Sequence, residues 1–161
     1  SWYECPLPET PKNIDSLVRL RAKANDRGMQ LAGCETFVGW KDFAPFVEKS
    51  AYDVIMPDAK YVGGMHEIMR VTERAREHGV AVSLHNPSGP ISHVVSLHIA
   101  AALSNGLPLE FQFNETPFFD SIAEGVIPLR TGQSKLPDKP GIGIGLIESE
   151  LDFLFEIDIH E

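Results

Sequence analysis

The chain has 161 residues, enough for one domain with a substantial core, and its 43% apolar and 23% charged content is that of an ordinary globular protein. A net charge of −9, from 14 basic and 23 acidic residues with no basic run, argues against nucleic acid as a partner. No apolar run is long enough to span a membrane and nothing at the start resembles a signal peptide, so a cytoplasmic protein is expected.

Trp2 and Tyr3 open a short strand that ends at Glu4. A chain that starts at Ser1 and enters such a run at once is expected to be a cut within something longer. Cys5 and Cys34 lack metal-site spacing and are expected to be reduced, buried thiols. The segment PLPETPKN is too rich in proline for either regular element. Ile14, Leu17, Val18, Arg21 and Ala24 then recur at helical spacing, with Asn13 as the expected cap and Gly28 as the stop. MQLAGCET reads as a second strand ending at Glu35, a short helix is expected over Lys41 to Lys49, and DVIMPD is the third strand. Met65, Ile68, Met69, Thr72 and Ala75 share one helix face, which Gly79 ends. VAVSLH is the fourth strand, and ISHVVSLHIAAAL is a helix apolar nearly all round, hence buried. PLEFQF is the fifth strand, and after Asn114 the pattern breaks into a loop-rich tail, from about residue 116. Its KPGIGIG follows no βα unit with an acidic partner downstream, so it is a glycine-rich turn and not a dinucleotide fingerprint.

Strands alternating with helices mean βα units and a parallel sheet, and strands buried on both faces read as near-continuous apolar runs. Two architectures satisfy this pattern: an open doubly wound sheet and part of a (β/α)₈ barrel. What stands at the strand ends bears on the choice. Glu4, Glu35, Asp58 and His85 end the first four strands and Glu110 lies in the fifth, at separations of 31, 23, 27 and 25 residues. A barrel of about 250 residues in eight units advances about 31 residues per unit, and its active site lies at the C-terminal ends of the strands. Each residue alone reads as a helix cap or loop residue; five in register do not. Glu4 and Glu35, on adjacent strands, are hard oxygen ligands suited to Mg²⁺. Asp58 and His85 can form a carboxylate–imidazole pair that fixes the histidine tautomer and raises its basicity. Glu110 faces them as a group able to bond a substrate or intermediate. A metal, a base and an opposing acid suit proton abstraction beside a carboxylate.

These segments resemble a known family. WYECP is similar to the Glu-x-Pro metal-ligand strand of the enolase superfamily, mandelate racemase/muconate lactonizing enzyme subgroup. AGCET resembles its next ligand strand, MPDAKYVGG its Asp strand with the double glycine, SLHNPSGPIS its catalytic His strand, and PLEFQF its eighth strand. The resemblance covers nearly the whole chain and implies an α/β fold: about five βα units forming the C-terminal part of an enolase-type barrel. It implies that Glu4 and Glu35 bind Mg²⁺, that Asp58 and His85 are the base dyad, and that Glu110, or less favourably Glu115, is the substrate-side acid. The Gly-Pro-Ile after the histidine is similar to acid-sugar dehydratases, so a sugar acid is the expected substrate and dehydration the expected reaction, with racemisation or epimerisation of a hydroxy acid as the alternative. The family's N-terminal capping domain, the aspartate ligand of its third barrel strand and its Lys-x-Lys motif do not occur in residues 1–161. Five strands cannot close such a barrel, so the isolated chain is expected to be inactive, and either self-associated or held by a missing N-terminal part.

Two rival readings come from other classes. One is a non-catalytic fragment or subunit that contributes only structure. The other is a flavodoxin-like, Mg²⁺-binding signalling domain, which would want clustered acids at the first strand, where only Glu4 stands. His93 and His98, five residues apart, read as core or interface histidines, and His66 and His78 as solvated ones. Trp40 and Phe43 read as packing residues and Lys60 as a surface lysine.

Overall fold

A computed structural model describes residues 1–103, 107–111, 119 and 121–150. Four strands, β1 (Trp2–Glu4), β2 (Gln30–Gly33), β3 (Val54–Ile55) and β4 (Ala81–Val82), pair in parallel in the order β1-β2-β3-β4. Helices α1 (Ile14–Asn25), α2 (Gly39–Glu48) and α3 (Met65–Glu77) connect them in turn, and α4 (Pro90–Ala102) follows β4. The register sets Glu4 beside Ala32, Gly33 beside Ile55 and Ile55 beside Val82, so the C-terminal ends of the strands lie together.

Alternation along the strands explains the apolar runs. Leu31 and Ile55 join the core that the sheet shares with the helices, along with Leu17, Phe43, Ile68, Val71 and Ile99. Ala32, Val54 and Met56 point the other way, into a second cluster with Trp2, Ala81 and Leu107. Both faces of β2 and β3 are therefore buried, as in a parallel sheet covered on both sides. Gly28 and Gly79 stop α1 and α3 as expected, each at φ +71°, the left-handed conformation that closes a helix without Cβ strain.

The strands are shorter than the apolar runs. β2 ends at Gly33, because Cys34 adopts φ +73°; Pro57 brings no N–H to extend β3. α2 begins two residues before the expected Lys41. Asn13 precedes α1 but does not cap it: its side-chain amide donates to the Pro8 carbonyl at 2.8 Å instead, at the end of a 3-10 turn over Pro11–Asn13. The fifth strand also needs correction. Residues 107–111 run beside β4, with Leu107 N 3.4 Å from Val82 O and the Ser83 hydroxyl donating to Pro108 O at 2.9 Å, but they form no ladder. Pro108 has no N–H to give to one. Residues 112 and 113 of that segment, and Glu115, lie outside the described residues. In the tail, β5 (Ala123–Glu124) and β6 (Gly145–Leu146) form a two-residue antiparallel ribbon. Among the described residues, no helix is long and apolar enough to cross a membrane.

Candidate active site

Beyond β3 and β4 the chain makes one more parallel bridge, between Asp58 and His85. It places a carboxylate and an imidazole side by side at the C-terminal end of the sheet. Asp58 is fully buried. Its main-chain carbonyl accepts from Tyr61 N and Val62 N, a turn that leads through Gly63 (φ +114°) and Gly64 (φ +90°) into α3. The side chain does not cap that helix. Its Oδ1 accepts from Lys60 N at 2.7 Å, and its Oδ2 lies 2.9 Å from His85 Nδ1. Burial would raise the Asp58 pKa, but the bonds from His85 and Lys60 N, with the charges of both side chains, outweigh it and hold the carboxyl below its ordinary value.

The other ring nitrogen, His85 Nε2, lies 3.5 Å from Glu35 Oε2. Burial would lower the His85 pKa; the Asp58 bond and the charges of Glu35, Glu110 and Asp58 raise it above the ordinary histidine value instead. With Nδ1–H donated to Asp58, Nε2 is the nitrogen that can take or give a proton.

Glu35, Asp58 and His85 thus come together as expected. Glu110 stands beside them: its Oε2 accepts from Asn86 N at 2.8 Å, and its main-chain carbonyl accepts from the Asn86 side-chain amide at 2.9 Å. Its charge still reaches His85. Glu4 is exposed, and its Oε1 accepts from the Trp2 indole at 2.6 Å. Among the described residues, no three His, Cys, Asp or Glu side chains gather as metal ligands. The donor chemistry nevertheless fits a hard divalent cation, because Glu4 and Glu35, at the ends of the paired strands β1 and β2, offer hard carboxylate oxygens.

Four residues outside the strand-end series also join the site. Lys60 is exposed, as expected of a surface lysine, and its Nζ also comes within 3.5 Å of Asp58 Oδ2. Cys5 is exposed, not buried, and its thiol donates to Glu35 Oε1 at 3.3 Å; Cys34 is buried as expected and both thiols are free. Asn86 is buried and its side-chain amide also donates to His93 Nδ1 at 2.9 Å, which explains His93 as a neutral core histidine, its pKa lowered by burial. Glu9, in the proline-rich segment, accepts from Cys34 N at 2.6 Å. None of the four repeats at the spacing that marked the strand ends; Asn86 and Lys60 were visible only as neighbours of His85 and Asp58. His66 and His78 are exposed as expected, and His98 Nε2 meets the Ile142 carbonyl at 3.1 Å.

Residues 1–150 match the family model described as enolase C-terminal domain-like. The chain belongs to that family. Within the enolase superfamily it falls in the mandelate racemase/muconate lactonizing enzyme group. It is 29% identical to D-xylonate dehydratase of Haloferax volcanii over 150 residues, which is 90% of this chain and 34% of that enzyme. It is 30% identical to arabinonate dehydratase of Saccharolobus solfataricus over 135 residues, 84% of this chain and 36% of that enzyme. A crystal structure of a mandelate racemase/muconate lactonizing enzyme from a Jannaschia species superposes with a TM-score of 0.82 at 26% identity, over 94% of this chain and 37% of that one. The chain therefore spans about a third of the length of the enolase-superfamily relatives it matches.

Proposed function

We propose that the protein carrying this chain dehydrates a sugar acid, by removing the proton next to the carboxylate and expelling the β-hydroxyl. The observation that carries the reading is the dyad: a histidine at the C-terminal end of a barrel-type strand, with Nδ1 held at 2.9 Å by a fully buried aspartate and Nε2 turned toward the candidate metal ligand Glu35. The two dehydratases it resembles, named for xylonate and arabinonate, point to a sugar acid as the substrate class.

Neutral His85 takes the α-proton on Nε2, and the C–H electron pair passes into the substrate as an enediolate. Asp58 keeps the tautomer fixed and stabilises the imidazolium that forms. The pair then forms the C=C bond as the β C–O bond breaks. His85 returns its proton to the departing oxygen, so water leaves and the enol relaxes to a 2-keto-3-deoxy acid. Glu4 and Glu35 are the residues that would hold Mg²⁺, which when bound would offset the charge of the substrate carboxylate. Lys60 and Glu110 frame the dyad on either side, one through Asp58 and the other through Asn86. The remaining barrel strands would come from the rest of the polypeptide or from an associated chain.

The test is a panel of sugar acids with Mg²⁺ and the full-length protein. Formation of a 2-keto acid supports dehydration. Inversion at the α-carbon without keto-acid formation favours racemisation, and no reaction at that carbon with any acid removes the enzymatic reading.

A further inference from the structure

Glu9 has no part in the chemistry proposed above, yet it crosses from the β1–α1 connection to the end of β2, the strand that leads to Glu35. The parallel ladder stops there: Met56 N donates to Gly33 O, and the next amide, Cys34 N, is taken by Glu9 Oε1 at 2.6 Å. Cys34 sits at φ +73°, a conformation that a residue with a side chain adopts only when its surroundings enforce it. The place for Glu9 is fitted into the strand. A Cβ on Gly33 would collide with the Glu9 carboxylate and with the Tyr52 ring, so glycine there leaves room for both. The carboxylate is half-buried and stands near Glu35, so it bears both desolvation and like-charge repulsion. An apolar or neutral side chain would serve packing with neither cost.

We propose that Glu9 is a positioning residue for Glu35: by holding the Cys34 amide in the left-handed turn, it aims the Glu35 carboxylate at the cation and at His85. Glu35 shows that aim, with Oε1 3.3 Å from the Cys5 thiol and Oε2 3.5 Å from His85 Nε2. The inference rests on the reading of Glu35 as a metal ligand. Groups that orient a ligand in this way change metal affinity when removed, without touching the metal.

Two variants separate reach from charge. Glu9→Asp keeps the charge but falls one methylene short of Cys34 N; Glu9→Gln loses the charge but keeps an acceptor oxygen at full reach. Mn²⁺ binding to the full-length protein, followed by electron paramagnetic resonance, is expected to weaken about tenfold or more in Glu9→Asp and to stay near wild type in Glu9→Gln. In ¹⁵N-resolved spectra the Cys34 amide proton should move upfield much farther in Glu9→Asp, where the bond is lost, than in Glu9→Gln, where a neutral acceptor keeps it. The reverse order of affinities would show that Glu9 acts through charge alone and overturn the proposal, as would wild-type affinity in both. Should Glu9→Asp fail to fold, Glu9→Gln still decides, since a tenfold loss there is incompatible with positioning. Wild-type protein that binds no Mn²⁺ overturns both this inference and the metal reading. Mn²⁺ binding in the expected order without turnover of any sugar acid leaves Glu9 in place and removes only the proposed reaction.

Discussion

Replacing Asp58 with Asn keeps the shape of a fully buried side chain and removes its charge. The carboxylate now accepts from Lys60 N at 2.7 Å and from His85 Nδ1 at 2.9 Å, and an amide has one oxygen for these two donors. If that oxygen stays on Lys60, the amide N–H₂ meets Nδ1 and forces the proton to Nε2, the nitrogen that must be free to act as base. If it turns to His85, two donors oppose each other at Lys60. A bond to a charged group contributes about 1.5–3 kcal/mol and a neutral one about 0.5–1.5, so the exchange should cost about 1–2 kcal/mol. The cost depends on pH. His85 has a raised pKa in the fold, so its contribution is complete below the ordinary histidine value and is lost as pH rises through the folded value. The stability difference between wild type and Asp58→Asn should thus be largest at the acid side of that window and shrink above it. Denaturant titration across the window measures the difference, and imidazole ¹⁵N shifts report the tautomer. An unchanged His85 titration, together with a stability difference that does not vary with pH, would refute the coupling.

Three further outcomes follow from other parts of the molecule. Gly64→Ala should destabilise by about 1–3 kcal/mol in a denaturant melt, because φ +90°, ψ −177° is a glycine conformation and no neighbouring atom obstructs a Cβ there, so the cost is backbone strain alone. Asp53 accepts from Arg21 Nε at 2.6 Å, Leu31 N at 2.8 Å and Asn25 Nδ2 at 2.9 Å, bonds that overcome its burial and lower its pKa. Asp53→Ala should cost about 1–3 kcal/mol; the loss should be complete above the ordinary carboxylate range and disappear as pH falls through the folded value, measured by melts from pH 7 downward. Calorimetry on the isolated chain should find weak Mg²⁺ binding, since two carboxylates are fewer oxygens than the ion prefers; tight binding would mean that Glu4 and Glu35 are not an incomplete set.

The fold was legible because its signals are periodic. Both faces of β2 and β3 are buried, so Ala32, Val54 and Met56 read as an unbroken apolar run with Leu31 and Ile55, and helical spacing framed α1 and α3. Strand lengths were not legible, because Cys34 and Pro57 end pairing through backbone conformation and a missing donor, while the side chains continue apolar. PLEFQF has strand composition, but Pro108 removes a donor where the ladder would continue. In the site, Glu35, Asp58 and His85 could be found because the barrel repeats them at strand ends. Glu9 and Asn86 reach Cys34 and Glu110 across connections of no fixed length, and only three-dimensional contact brings them to these partners; Lys60 meets Asp58 from two residues away, which no periodicity marks. The exposed Glu4, bonded to its neighbour Trp2, shows that a residue in register at a strand end need not meet the rest of the site in the isolated chain.

The central claim is that His85 is the base. Its most direct test is exchange of the substrate α-proton with deuterium in D₂O, followed by NMR for the full-length protein with a sugar acid and Mg²⁺. Wild type should exchange or eliminate, and His85→Asn should do neither while binding Mg²⁺ with nearly unchanged affinity. Exchange at the wild-type rate in His85→Asn would contradict the assignment.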